Sequence, residues 1–323
     1  MDKGDSAPPV ILIAGPTASG KSGVALAAAK VLNGVIINAD SMQVYSDLRI
    51  VTARPTVEDE REAPHRLYGV LPADRPCSAA AWVDMALAEI AHARSQGHRP
   101  IFVGGTGLYL KALIEGLNQI PPIPDHVRTA TREMHQQLGA AAFHEQLSRW
   151  DPAMARRLNS GDTQRMIRAW EVMAATNRSL EDWQAEPSSG PPEGMRFDLH
   201  VLMPPRPALY AVADGRFVSM VEQGALDEVR ALADRRLPRD LPAMKAVGVP
   251  ELMAHLAGDL KIETAIAKAQ QATRNLAKRQ FTWFRHQFSA DRLGPSVHAS
   301  HVYDAQQSES LSQEILKNIR KSR

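Results

Sequence analysis

The sequence predicts an α/β fold, a parallel sheet flanked by helices and interrupted by a helical insertion, on three observations. Short apolar runs of strand length recur early, at Val10–Ala14, Val35–Ala39 and Pro100–Val103. A segment of helical period separates the second run from the third, and strands alternating with helices build a parallel sheet covered on both faces. From 125 to 184 the chain then reads helical with little strand character, between two proline-rich breaks.

Each element has its own signal. Val10-Ile11-Leu12-Ile13-Ala14 is ended by Gly15-Pro16, and Val35-Ile36-Ile37-Asn38-Ala39 by Asp40. Ser78 can cap a helix running to about Gln96 and closed by Gly97, with Val83, Ala86, Leu87, Ile90 and Ala91 as its apolar stripe. Pro121-Pro122-Ile123-Pro124 and the Pro/Ser/Gly run from Glu186 to Pro192 bracket the helical block. Two such joints indicate an insertion at 121–193 within a core of 1–120 and 194–323. Phe197–Met203 alternates like a strand, and Asp259 to about Gln287 reads as one long helix. The tail after Gly294 is polar and is expected to be loosely held.

Composition narrows the class. No run reaches the roughly 18 apolar residues a membrane helix needs, and Met1–Ser6 has no signal-peptide core. A soluble cytoplasmic protein with no membrane partner is expected. The single cysteine, Cys77, excludes an internal disulfide and a cysteine-based zinc site. The formal net charge is only +2, so nucleic-acid binding would have to come from local clusters. One lies near the end: on a helix, Arg274, Lys278 and Arg285 share a face flanked by Lys268 and Arg279.

The strongest motif is Gly15-Pro16-Thr17-Ala18-Ser19-Gly20-Lys21-Ser22, a full match to G-x-x-x-x-G-K-[ST] placed between a strand and a helix. Its backbone amides converge on a di- or triphosphate, Lys21 adds a point charge, and Ser22 can reach Mg²⁺. ATP is the usual ligand of such a loop. Here no strand ends in the acid pair of a motor ATPase, and the best-placed carboxylate is Asp40, followed by Ser41-Met42-Gln43. At a strand's carboxyl end Asp40 fits a metal ligand, a general base or a turn cap. The third strand ends in Gly104-Gly105-Thr106-Gly107, which lets backbone approach a ligand closely and offers the Thr106 hydroxyl there, or is a plain turn.

Taken in order, GPTASGKS at Gly15–Ser22, DSMQVY at Asp40–Tyr45, TARP at Thr52–Pro55, APHRL at Ala63–Leu67, GGTGLY at Gly104–Tyr109 and TRNLAKRQFTWFR at Thr273–Arg285 resemble the tRNA dimethylallyltransferase family over most of the chain. Val51, Arg54, Arg66 and Val249 depart from residues usual in that family. The resemblance implies a P-loop NTPase-like core whose loop, Gly15–Ser22, holds the diphosphate of dimethylallyl diphosphate with Mg²⁺ at Ser22. It implies transfer of the dimethylallyl group to the exocyclic amine of the adenosine 3′ to the anticodon. Asp40, Thr106 and Lys21 take the catalytic roles. tRNA contacts fall on Asp40, Ser41, Met42, Gln43 and Thr106; on Arg128, Gln164, Arg165, Met166, Ile167 and Arg168 of the insertion; and on Arg274, Lys278, Arg279 and Arg285. The insertion would embrace the anticodon stem-loop, and a clamp on one RNA arm favours a monomer. The competing expectations are a small-molecule kinase with ATP in the loop and a nucleotide-regulated RNA-binding protein.

Overall fold

The computed structural model describes residues 7–289, 293–304 and 309–321. The chain forms two compact units, Met1–Ile114 with Pro191–Arg323, and Glu115–Gly190. The joints at 121 and 193 marked by sequence lie a few residues further along than these divisions. The shift has a physical source: proline marks where a helix cannot continue, whereas the units divide where packing ends.

The first unit opens with β1 (Val10–Ala14), α1 (Lys21–Leu32), β2 (Gly34–Asn38), α2 (Val57–Glu62) and β3 (His65–Arg66). α3 (Ala79–Ser95), β4 (Arg99–Gly104) and α4 (Gly107–Glu115) follow. Ser78 caps α3 by accepting from the Ala81 amide, as its position before the apolar stripe predicts. Glu115–Gly190 holds α5 (Asp125–Trp150), α6 (Pro152–Arg157), α7 (Thr163–Thr176) and α8 (Leu180–Ala185). The chain then returns as β5 (Phe197–Leu202), α9 (Arg206–Glu222), α10 (Ala225–Asp234), α11 (Val249–Leu256), α12 (Ile262–Gln287), β6 (Val297–Tyr303) and α13 (Glu309–Lys321).

The six strands form one parallel sheet in the order β3-β2-β4-β1-β5-β6. Successive strand residues face opposite sides. Val10, Leu12 and Ala14 therefore join a core with Trp82 of α3, Phe217 of α9 and Phe284 of α12. Ile11 and Ile13 join a second core with Val24 and Ala28 of α1 and Leu311, Ile315 and Ile319 of α13. This three-layer, P-loop NTPase-like arrangement places the ends of β1, β2 and β4 at one sheet edge, where ligands bind in such folds.

The tail corrects an expectation. Within it, β6 pairs with β5 and α13 buries Leu311, Ile315 and Ile319 at helical spacing. Each such burial contributes roughly 1.5–3 kcal/mol, enough to hold an otherwise polar segment. A buried polar group adds register: Tyr303 Oη lies 2.9 Å from His200 Nδ1 on β5 and accepts from Asn318 of α13 at 3.1 Å.

The helical unit has a core of its own around Phe143, Leu147, Met154, Met166 and Val172. α5 bends at Gly139, whose φ of 75° and ψ of 166° are not helical. Buried Asp151 caps α6 at the Met154 amide and accepts from the Ser179 hydroxyl at 3.0 and 2.9 Å.

Candidate functional site

Three loops at the sheet edge build the near wall of a cavity of about 250 Å³. The phosphate loop runs from β1 to α1, and Gly20 begins α1 at a φ of 85°. Lys21 Nζ donates to the Pro16 carbonyl at 2.8 Å. Burial pulls the Lys21 ammonium down to about 8; Asp40 opposes that shift and Arg216 adds to it. Ser19 Oγ is buried in the loop without a hydrogen-bond partner among the described residues.

Asp40 follows β2 and lines the cavity with Ser41 and Met42. Its amide donates to Asn38 Oδ1 at 2.8 Å, and its Oδ1 accepts from the Met42 amide at 2.9 Å. One carboxylate oxygen is thus fixed by its own turn. Thr106 also lines the cavity, and its Oγ1 accepts from the Ser41 amide at 2.9 Å and donates to Ser41 Oγ at 3.2 Å. The two loops are therefore one hydrogen-bonded surface.

The far wall comes mostly from helices, and of its residues only Arg279 was assigned a role from the sequence. Arg216 of α9 donates to Thr17 Oγ1 at 2.6 Å. Burial pushes its guanidinium below its ordinary pKa, with Asp40 opposing. Gln280 of α12 accepts from the Thr17 amide at 2.8 Å and donates to the Gly105 carbonyl at 2.9 Å, bridging two loops. The glycines of the third loop are explained by this approach. A Cβ on Gly105 would meet Gln280 Nε2 at 2.4 Å, and one on Gly107 would meet the Trp283 ring at 2.2 Å. Phe217, Met220, Ala246 and Val247 make the far wall largely apolar. No sequence signal marked Arg216; Gln280 stood inside the TRNLAKRQFTWFR segment without an assigned role.

Several predicted residues sit elsewhere. Ser22 lines a separate crevice with Arg54, Asp59, His65 and Tyr68, and its hydroxyl makes no hydrogen bond among the described residues. Gln43 does not line the cavity: its Nε2 donates to the Thr52 and Ala53 carbonyls at 2.8 and 2.9 Å. Arg274 is held by Asp214 of α9 at 2.7 and 2.6 Å, so its charge is matched inside the protein. Lys278, Arg279 and Arg285 are exposed, and Arg279 also lines the cavity. Phe284 is core and Trp283 packs on Gly107, so neither ring is free to stack a base. In the helical unit Gln164 and Arg165 are exposed. Met166 is fully buried, and Ile167 packs partly buried against the same core. They fall on the inner face of α7 because its apolar stripe recurs every three to four residues. Arg128 donates to the Ile123 carbonyl at 3.2 Å, and Arg168 lies 3.9 Å from buried Glu171.

The sequence model of IPP transferase matches residues 43–287. The chain belongs to this family. A tRNA dimethylallyltransferase from Rhodospirillum centenum is 57% identical over 284 residues, 88% of this chain and 90% of that protein. One from Paramagnetospirillum magneticum is 57% identical over 282 residues, 87% of this chain and 89% of the other. The solved full-length tRNA isopentenylpyrophosphate transferase from Bacillus halodurans superposes with a TM-score of 0.68 at 31% identity, over 98% of this chain and 96% of that one. A eukaryotic dimethylallyltransferase captured acting on tRNA gives 0.77 at 25% identity, over 98% and 80%. Among the described residues no helix of this IPP transferase is long and apolar enough to cross a membrane.

Proposed function

We propose that the chain transfers the dimethylallyl group of dimethylallyl diphosphate to the exocyclic amine of the adenosine 3′ to the tRNA anticodon, releasing diphosphate. The observation that carries this is the pairing, in one cavity, of Asp40 and Thr106 with the phosphate-loop residue Thr17 and the Arg216 that donates to it. One end suits an anionic leaving group and the other a proton acceptor. The apolar side chains of the far wall, Phe217, Met220, Ala246 and Val247, suit a five-carbon chain.

The adenine amine is a poor nucleophile because its lone pair is delocalised into the ring, so the donor carbon must become strongly electrophilic. Phosphate-loop amides, Lys21 and Arg216 take up the negative charge that grows on diphosphate as the allylic C–O bond breaks. The amine nitrogen bonds to that carbon and becomes acidic. Asp40, with one oxygen held by the Met42 amide, accepts the proton on the other. Thr106 holds the Asp40–Ser41 turn in place through the Ser41 amide. The base enters by leaving its stack, at a cost of about a few kcal/mol.

Mg²⁺ takes one or two protein oxygens together with phosphate oxygens and water. The uncommitted Ser22 hydroxyl beside the phosphate loop fits that role, and the bound ion would neutralise diphosphate charge. Exposed Lys278, Arg279 and Arg285 in one unit, and Gln164 and Arg165 in the other, suit RNA phosphates. We place the enzyme in the cytoplasm, acting as a monomer on the anticodon stem-loop.

The test is a mass shift. The protein is incubated with Mg²⁺, dimethylallyl diphosphate and unmodified tRNA, and the digested nucleosides are weighed. Five carbons added to adenosine are expected, and their absence with the Asp40→Ala variant. ATP consumed on a small hydroxyl compound with no change in the RNA would make the kinase reading primary.

A further inference from the structure

The segment that carries Val51 and Thr52 into the cavity wall is held by a residue outside it. Glu228, half-buried on α10, accepts from three successive backbone amides: Arg49 at 2.5 Å, Ile50 at 2.9 Å and Val51 at 2.9 Å. Consecutive N–H groups converging on one anion form a concave nest, the arrangement loops use to hold a bound anion. Here the anion is the protein's own carboxylate. Charge-assisted bonds of this kind are roughly twice as strong as neutral ones.

The same turn is fixed from its other side. Gln43 Nε2 donates to the Thr52 and Ala53 carbonyls. The Thr52 hydroxyl donates to the Leu48 carbonyl at 2.7 Å, and the Ala53 amide to the Ile50 carbonyl at 2.9 Å. Ala53 adopts a φ of 54°, which a residue with a Cβ holds only where its surroundings impose it. Val51, in turn, packs close to Gly248, beside the Ala246 and Val247 that also line the cavity. The wall is therefore shaped by tertiary restraint, and the strongest restraint comes from Glu228.

We infer that Glu228 is a positioning residue that keeps the Val51–Thr52 wall closed, so that the allylic carbon meets the adenine amine and not water. The inference rests on the cavity being the place of transfer. In the unwanted step the allylic C–O bond breaks as before. Water oxygen bonds to the carbon, its proton passes to solvent, and the products are dimethylallyl alcohol and diphosphate. Loosening the wall admits that water without removing any group that drives ionisation.

The readout is the ratio of dimethylallyl alcohol to prenylated tRNA, measured with full-length protein, Mg²⁺, dimethylallyl diphosphate and tRNA. Glu228→Gln puts an amide N–H₂ against backbone donors and is expected to raise that ratio about tenfold. Glu228→Asp keeps the charge with a shorter reach and is expected to raise it by less. The Asp variant also carries the test if the Gln variant does not fold. A partly unfolded population lowers both products together and leaves the ratio where it was. An unchanged ratio in folded Glu228→Gln or Glu228→Asp would therefore overturn the positioning role. Asp40→Asn in the same assay reports on the cavity separately: full prenylation by that variant would sink the cavity as the reaction site, whatever the Glu228 variants do.

Discussion

The two walls of the cavity are built on different principles. The near wall comes from strand-end loops: Thr17, Asp40, Ser41, Met42 and Thr106 follow β1, β2 and β4, which the sheet register sets side by side. The far wall is side chain: Arg216, Phe217 and Gln280 reach in from α9 and α12, more than 190 residues from the phosphate loop. A strand end can be placed by its own sequence, because its geometry is local. A helix side chain reaches a site only if the whole helix packs at the right height and rotation. The near wall should accordingly fail through chemistry when mutated, and the far wall through charge and shape.

The largest expected effect tests the near wall. Asp40→Ala is expected to lower single-turnover prenylation by about 10²- to 10⁴-fold, the range of a removed general base. tRNA affinity should stay within several-fold, because one of the two Asp40 carboxylate oxygens is already held by its own turn. Weakened binding with normal turnover of bound tRNA would refute the assignment. Next comes the far wall. Arg216→Ala removes a cation that touches Thr17 and is expected to lower kcat/KM for dimethylallyl diphosphate by about 10²-fold, with the KM for tRNA unchanged. A loss confined to tRNA would move Arg216 out of the diphosphate end.

How much of this was legible in the sequence follows the same division. The strand at Val10–Ala14 and the capped helix after Ser78 appear as read, and the strand read over Phe197–Met203 ends one residue earlier, at Leu202, since period and punctuation are local properties. The phosphate loop, Asp40 and Thr106 were legible for the same reason. The motif positions of Gln43 and Arg274 were legible, but not that their hydrogen bonds are committed within the protein, to Thr52 and Ala53 in one case and to Asp214 in the other. Met166 is buried because a five-residue run on a helix must turn some members inward, which the run itself does not show. β6 and α13 escaped notice because an edge strand and a surface helix need only one apolar side; three well-spaced residues, Leu311, Ile315 and Ile319, suffice.

A smaller effect separates matched from unmatched charge on α12. Charge reversal of Lys278 and Arg279 together is expected to weaken tRNA binding about tenfold and to flatten its salt dependence by roughly 0.7 to 0.9 for each phosphate that the variant no longer neutralises. Arg274→Glu should instead destabilise the fold, by leaving Asp214 facing a second carboxylate, and change the salt slope little. A larger flattening for Arg274 than for Lys278 would mean that the Asp214 pair opens when RNA binds.

The smallest effect is measured at Lys21, which feels a charge from each wall. Its ammonium sits at about 8 because burial outweighs the attraction of Asp40 from the near wall, while Arg216 from the far wall pushes the same way as burial. Losing that proton removes a positive charge from the diphosphate end, so the KM for dimethylallyl diphosphate should rise severalfold as pH passes upward through about 8. Because the folded value lies below the free one of 10.5, the unfolded chain holds the extra proton between the two. This group's contribution to stability therefore rises with pH across that window. The walls act on Lys21 with opposite signs, which gives a direct test by NMR titration of its Cε. Asp40→Asn removes the attraction and should lower the midpoint. Arg216→Ala removes the repulsion and should raise it. Midpoints that moved together would show that the variants reach Lys21 through altered burial and not through charge, and the contrast between a chemical wall and a charged one would lose its electrostatic basis.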